Sequence, residues 1–284
     1  MPVRVVFFDL VGTLIRARSS IGAQYAAIAR RFGIQADARA LDRAFGTVLA
    51  QAATYALPDP AESDMTAREK RAWRAIVETV FAKAGCSDAP GSASFDEYFE
   101  ALYDHFATRN AWVVYPDVVP SLEELRIAGL RIGLISNFDS RIFPLLNQLG
   151  LTSAFTTVTI PAVAGAAKPD PQIFRHALAA EGIPADEALY VGDSIAGDIV
   201  PARAAGLAAV LIDRSRGHAH AKGMIRIASL NRLRRLVAGT TLAAARTPRR
   251  NARRTAPRPL RAAPAGRAGG RARSRHGPRS RTGR

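Results

Sequence analysis

Cysteine is nearly absent: Cys86 is the only one in 284 residues, so no intrachain disulfide can form and a reducing compartment suits the chain. No apolar run reaches the roughly 18 residues of a spanning helix, which argues against a membrane-embedded protein. The N-terminus lacks a basic-then-apolar leader with a cleavage site, so a cytoplasmic rather than secreted protein is expected. Acid is missing from the end of the chain. The last of the 24 Asp and Glu residues is Asp213, and residues 214–284 carry 21 Lys and Arg with nothing to balance them. Residues 246–284 hold 14 Arg, no aromatic and one branched aliphatic, Leu260. Burial there cannot offset chain entropy, so a disordered basic tail is expected over 241–284. Its charge suits non-specific contact with nucleic acid. It has no aromatics for stacking on bases, and drift in an Arg-, Ala- and Pro-biased composition without selected function is the better account of it.

What remains is an ordinary globular body. Residues 1–213 set 24 acids against 19 bases, a net charge of −5, so the formal +16 belongs to the tail. A hydrophobic content of 48% over this length is enough to bury a sizeable core.

Residues 3–8 read as a strand buried on both faces, with β-branched and aromatic residues at nearly every position. It runs straight into Asp9, then Gly12 and Thr13. No further strand is expected until about residue 131. Helical patterns fill the gap at 21–32, 38–53, 67–83 and 95–106, with breaks at 57–60 and 85–91. In the third, Trp73, Ile76, Val77, Val80 and Phe81 recur at three- and four-residue steps, an apolar stripe. From residue 111 strand and helix alternate. Strands are expected at 130–135, 155–160, 189–191 and 207–212, with helices at 120–128, 140–149, 171–181, 198–205 and 229–237. That alternation predicts an α/β fold: a Rossmann-like parallel sheet covered on both faces. The expected organisation is a core of 1–15 and 111–240, a helical insert of 16–110, and the tail.

In an open α/β sheet, ligands bind beyond the carboxyl ends of the strands. Four chemistry-bearing groups fall at such ends, in order: Asp9 with Thr13, Ser136-Asn137, Lys168-Pro169, and Gly192-Asp193 followed by Asp198. Each also has a plain structural reading. Asp9 closes a turn, Ser136 and the Asp193/Asp198 pair cap helices, and Lys168 is a solvated lysine. Residues 111–167 contain no other lysine, and Pro169 restricts the backbone of Lys168.

The order and spacing of these four motifs resemble the haloacid-dehalogenase-like hydrolases, whose hallmarks are an Asp nucleophile, a Ser/Thr, a Lys and a GDxxxxD acidic pair. The wording at 21–26, 135–139 and 168–174 is similar to the branch named for haloacid-dehalogenase-like hydrolase domain-containing protein 3. The resemblance covers residues 3–213. It implies an inserted α-helical cap, and catalysis on a small phosphorylated substrate by Asp9, Ser136 and Lys168. Thr13, Ser136, Asn137 and Lys168 would bind the phosphoryl group. Mg²⁺ would be held by Asp9, the backbone carbonyl of Val11, Asp193 and Asp198. Substrate identity and oligomeric state stay open.

One position departs from the pattern. Phosphatases of this family usually carry a second aspartate two residues after the nucleophile, as general acid and then base. Here it is Val11, which exchanges no protons. General acid–base help is worth about 10²- to 10⁴-fold in rate, so turnover of ordinary alkyl phosphates should be slow. Three outcomes remain open: a specialised phosphohydrolase, a dehalogenase- or phosphonatase-type hydrolase, and a catalytically impaired phosphate-binding or regulatory protein. A dehalogenase would not need the acidic pair, and a phosphonatase would need a cap lysine, of which only Lys70 and Lys83 exist. His105, His176, His218, His220, Trp73, Trp112, Phe95 and Phe99 read as packing or surface residues. Arg16 and Arg18 stand where they could face an anionic substrate.

Overall fold

The structure, a computed structural model, describes residues 2–51, 64–86, 93–217 and 223–239. The predicted breaks at 57–60 and near 87–91, His218, His220 and the tail at 241–284 lie outside the described residues.

Eight strands and ten α-helices are described. Strand β1 (Val5–Phe8) is followed by a short β2 (Ile15–Ala17). Helices α1 (Ile21–Ala29), α2 (Ala38–Gln51), α3 (Met65–Lys83) and α4 (Ala93–Phe106) come next, then β3 (Trp112–Val114). After α5 (Val118–Ile127) the chain alternates: β4 (Arg131–Ile135), α6 (Ile142–Gln148), β5 (Thr157–Thr159), α7 (Pro161–Ala164) and α8 (Pro171–Glu181). It ends with β6 (Ala188–Gly192), α9 (Val200–Ala204), β7 (Ala208–Ile212), β8 (Ile225–Ile227) and α10 (Leu233–Gly239).

Six strands form one parallel sheet in the order β5-β4-β1-β6-β7-β8. Its alternating side chains divide between two cores. Val6 and Phe8 of β1, Leu189 and Val191 of β6, and Val210 of β7 join helices α5 and α6 on one face, in a core continuous with the helical insert. Val5, Phe7, Tyr190 and Leu211 face the other way, onto Ile173, Phe174 and Ala177 of α8. A strand buried on both sides must be apolar at every position, which is why the run at 5–8 was readable.

Strand β1 sits in the middle because the chain leaves it in both directions, to β4 on one side and β6 on the other. Such a reversal of strand order opens a crevice at the carboxyl ends. The register sharpens this. Phe8 lies level with Leu134 and Val191. β1 ends there, while β4 and β6 each run one residue further, Ile135 opposite Thr159 and Gly192 opposite Leu211, so Asp9 emerges between two strands that flank it.

Three strands were not foreseen. β2 and β3 pair antiparallel, Ile15 with Val114 and Ala17 with Trp112, and tie the two ends of the helical insert together. Each has three residues, too few to show a period. β8 follows a basic stretch and adds a parallel edge to β7. The strand expected at 155–160 narrows to Thr157–Thr159, because Pro161 opens α7. The expected helix at 198–205 begins as a π-helical turn, Ile195–Ile199, before α9.

Candidate active site

At the carboxyl end of β1 the Asp9 amide donates to the Val191 carbonyl at 2.9 Å, so the backbone that presents the carboxylate is fixed by β6. Ser136 is fixed likewise, its amide donating to the Thr159 carbonyl at 3.1 Å. The Ser136 hydroxyl accepts from the Phe138 amide at 3.2 Å. Asp9, Thr13, Ser136, Lys168 and Asp198 are all buried, whereas Asp193 is half-buried. Thr13 brings a hydroxyl with no partner among the described residues, a donor held in reserve beside the Asp9 loop.

Lys168 is the hub. Its Nζ donates to Asp9 Oδ1 at 2.6 Å and to Asp198 Oδ1 at 2.7 Å, and stands 3.2 Å from the Tyr190 hydroxyl. The Tyr190 hydroxyl also donates to Asp198 Oδ1 at 2.7 Å, while the Ser194 amide donates to Asp198 Oδ2 at 2.9 Å. Asn137 clamps the lysine's backbone from both sides: its Nδ2 donates to the Lys168 carbonyl and its Oδ1 accepts from the Lys168 amide, each at 2.7 Å. The Lys168–Pro169 bond is cis. The lysine is therefore no surface residue; its ammonium neutralises buried carboxylates.

Glycines make room for the acids. Gly12 has φ +89°, and a Cβ there would fall 2.0 Å from Asp193 Oδ2. A Cβ on Gly192 would fall 2.5 Å from Asp198 Cγ. The π-turn between Asp193 and Asp198, a feature common at functional sites, brings the second acid back beneath the first. As a result Asp9, Asp193 and Asp198 each place a carboxylate oxygen within 4.8 Å of the others.

Three carboxylates and one ammonium leave this buried cluster with excess negative charge. Burial pushes the Asp9 carboxyl up to about 7, with Lys168 opposing and Asp198 and Asp193 adding to the rise. Asp193 is pushed up to about 6, again by burial first and then by Asp198. Burial works against the charge of Lys168, but Asp198 and Asp9 outweigh it and hold the ammonium well above the usual lysine value. A divalent cation would relieve the excess charge. An all-oxygen donor set on strand-end loops fits a hard ion such as Mg²⁺. Asp9 and Asp193 are the better placed ligands, because Asp198 already accepts from Lys168, Tyr190 and Ser194. Val11 has an exposed side chain that brings no titratable group to the cluster.

Two contributors were missed in the sequence. Tyr190 sits in a core strand, and the signal was there: a buried tyrosine needs a partner for its hydroxyl. Arg214 lies just past the last acid, where the charge count had assigned it to the basic end. Its Nε and Nη2 donate to the Thr13 carbonyl at 3.0 and 2.6 Å, holding the loop that follows Asp9. Arg18 donates to the carbonyls of Asn110 and Trp112, both at 3.2 Å, and Arg16 to that of Ala17 at 3.2 Å. Arg18 thus braces the β2–β3 stem, while Arg16 turns back on its own strand. Lys70 is paired with Glu100. His105 is hydrogen-bonded to Gln24 at 2.7 Å.

A buried Asp–Lys pair beside an acidic cluster at the switch point of a parallel sheet defines a hydrolase-type α/β site. The comparisons with known proteins agree. The family model for haloacid dehalogenase-like hydrolases matches residues 3–206, and the chain belongs to that family. Haloacid dehalogenase-like hydrolase domain-containing protein 3 of Homo sapiens is 33% identical over 213 residues, 75% of this chain and 82% of the human one. Among solved structures, a HAD phosphatase from Thermococcus onnurineus superposes with a TM-score of 0.60 at 26% identity, covering 84% of this chain and 99% of its own. A 2-haloacid dehalogenase from Pseudomonas syringae reaches 0.57 at 23% identity, covering 83% and 98%, a likeness of fold alone. No helix among the described residues is long and apolar enough to cross a membrane.

Proposed function

We propose that this chain is a Mg²⁺-dependent phosphohydrolase that acts on a small phosphorylated metabolite through an aspartyl-phosphate on Asp9. The observation that carries the reading is the 2.6 Å contact between Lys168 Nζ and Asp9 Oδ1, within reach of two further carboxylates. Asp9 attacks phosphorus and splits one hard displacement into two easier ones. Lys168 favours the ionised form of that carboxylate against the opposing effect of burial, and faces the phosphoryl oxygens, whose charge would otherwise repel the nucleophile. The Ser136 hydroxyl and the Thr13 hydroxyl donate to the same oxygens, and Asn137 holds Lys168 in place. Asp9, the Val11 carbonyl and Asp193 would hold Mg²⁺, with Asp198 orienting them; when bound, the ion supplies charge neutralisation at the phosphoryl group.

The segment 16–110 serves as the cap over a core of 1–15 and 111–240, opening and closing with substrate exchange. Its supporting contact is Glu69 on α3, whose carboxylate accepts from the Ser140 amide at 3.0 Å and from the Ser140 hydroxyl, four residues past Ser136.

Val11 sets the limits. No side chain at that position protonates the leaving group or activates the hydrolytic water, so both steps run without that assistance. Slow turnover follows, with the phosphoenzyme persisting. A phosphate-binding protein without turnover is the second reading, and Val11 is what favours it. A dehalogenase leaves the Asp193–Asp198 pair without a purpose, and the pairing of Lys70 with Glu100 argues against a Schiff-base lysine there.

The test is hydrolysis of p-nitrophenyl phosphate by the full chain with and without Mg²⁺. Turnover that requires the ion and falls by about 10³-fold or more in Asp9→Asn supports the enzyme. Phosphate binding with no turnover in either protein selects the second reading. Metal-free chloride release from 2-haloacids would overturn both.

A further inference from the structure

The insert and the core together line a half-open apolar cavity of about 60 Å³. Ile21, Phe45 and Trp73, all half-buried, contribute from α1, α2 and α3, and Val77 and Leu102 lie deeper. The core side is Trp112 and Phe138. Phe138 joins the cavity to the site, because its amide is the one that donates to the Ser136 hydroxyl at 3.2 Å.

The single charge on the lining is already spent. The Arg141 guanidinium grips Asp139 through Nε–Oδ1 at 2.9 Å and Nη2–Oδ2 at 2.6 Å, and its Nη1 donates to the Tyr103 carbonyl at 2.8 Å. Its carbon atom lies 3.7 Å from the centre of the Tyr103 ring. A charged or polyhydroxylated substrate body would lose its hydration here against a lining that is almost wholly apolar. Size narrows the occupant further. A dry cavity of about 150 Å³ accepts benzene, so one of about 60 Å³ suits a short aliphatic chain better than a ring.

Taken with the proposed phosphohydrolase chemistry, on which this rests, we infer that the substrate is a phosphate on a weakly basic oxygen, acyl or enol, of a short uncharged hydrocarbon chain. Two unrelated features converge on that class. The cavity selects the chain. Val11 selects the oxygen, since without a proton donor only a leaving group stable as an anion departs readily. In the first step an Asp9 oxygen bonds to phosphorus, and the phosphorus–oxygen bond to the leaving group breaks. The carboxylate or enolate leaves with the electron pair and needs no proton. In the second step water attacks the phosphorus of the aspartyl-phosphate and the bond to Asp9 breaks. Orthophosphate forms, the water's proton passes to solvent, and the Asp9 carboxylate is restored.

Four substrates separate the two selections. Butyryl phosphate and acetyl phosphate share a leaving oxygen and differ by two methylenes; butyryl phosphate and n-butyl phosphate share a chain and differ in leaving basicity. With Mg²⁺ and the full chain, kcat/KM for butyryl phosphate should exceed that for acetyl phosphate about tenfold, from burial of the added methylenes. n-Butyl phosphate should fall behind by about 10²-fold or more. Benzoyl phosphate, the fourth, keeps the acyl oxygen and tests the size limit; it should lie below butyryl phosphate. Val77→Phe fills the cavity and should erase the butyryl advantage, read as the butyryl-to-acetyl ratio of kcat/KM; Ile21→Phe, on the same lining, serves if that variant does not fold.

Equal kcat/KM for butyryl and acetyl phosphate, or a butyryl preference untouched by either variant, overturns the cavity assignment. Equal rates for butyryl and n-butyl phosphate overturn the leaving-group argument. Benzoyl phosphate ahead of butyryl phosphate overturns the short chain and moves the occupant to an aryl group. Absence of any Mg²⁺-dependent, Asp9-dependent hydrolysis of acetyl phosphate, whose small acyl group makes no demand on the cavity, is a different failure, that of the phosphohydrolase reading itself.

Discussion

Replacing Arg214 with methionine should destabilise the protein and weaken its site together, although Arg214 lies outside the acidic cluster. Its Nη1 donates to both oxygens of Asp117, at 3.0 and 3.1 Å, and its guanidinium stacks 3.7 Å from the centre of the Tyr115 ring. Asp117 Oδ2 also accepts from the Ser229 hydroxyl at 2.7 Å and the Leu230 amide at 2.8 Å. One ion pair thus joins the loop after β3, the segment after β7 and the segment after β8, while the remaining donors of Arg214 hold the Thr13 carbonyl. Breaking a fully buried pair by removing one partner costs about 3–5 kcal/mol. The side chains here keep 14% and 10% of their exposure, so a loss of about 2–4 kcal/mol is expected after solvent screening. Urea denaturation followed by Trp73 and Trp112 fluorescence at pH 6 reads that loss directly.

The pH dependence gives the prediction its sign. Burial alone would raise the Asp117 carboxyl, but Arg214, Ser229 and the Leu230 amide outweigh it and hold it below the usual carboxylate range. A carboxyl depressed on folding contributes stability above its unfolded pKa, roughly 3.9, and loses it as pH falls through the lower folded value. The gap between wild type and Arg214→Met should therefore be full at pH 6 and shrink below about pH 4. Adding Asp117→Asn to Arg214→Met removes the bare carboxylate and should recover about 1–2 kcal/mol. A single-variant loss under about 0.5 kcal/mol, or a gap that does not change with pH, would refute the reasoning.

Three other substitutions test the site itself. Val11→Asp restores a proton carrier beside Asp9 and should raise Mg²⁺-dependent turnover of alkyl phosphates about tenfold or more; an unchanged rate with folding and metal affinity intact would count against the missing-acid account. Gly12→Ala forces a Cβ onto the Asp193 carboxylate at a backbone angle that only glycine adopts readily, so Mg²⁺ affinity measured by calorimetry should fall about 10- to 100-fold. Tyr190→Phe deletes the hydroxyl between Lys168 and Asp198, and should lower kcat more than it raises KM; a pure KM effect would place the tyrosine on the substrate instead.

Much of the sheet could be read in advance because its strands are buried on both faces, and a run such as Val5 to Phe8 tolerates nothing polar. The strand-end groups were legible for the same reason: Asp9, Ser136 and Asp193 each break an apolar run where the backbone leaves the sheet. The β2–β3 stem was hidden, since three residues such as Ile15–Ala17 express no alternation. Tyr190 offered only the general signal of a core tyrosine in need of a partner; which partner was settled by Asp198 folding back across the π-turn. Arg214 could not be told from its basic neighbours by charge. Its partner Asp117 is 97 residues away, and no local pattern joins them.

The central placement of β1 also bears on how the molecule is made. Of the six parallel strands it is the earliest to leave the ribosome, yet its two neighbours are residues 131–134 and 188–191. Until the second of these has been synthesised, Val5 to Phe8 has at least one bare edge, a greasy ribbon in search of a mate. Nascent chains interrupted anywhere before residue 191 should consequently cling to holdase chaperones or clump, and be released only when β6 docks.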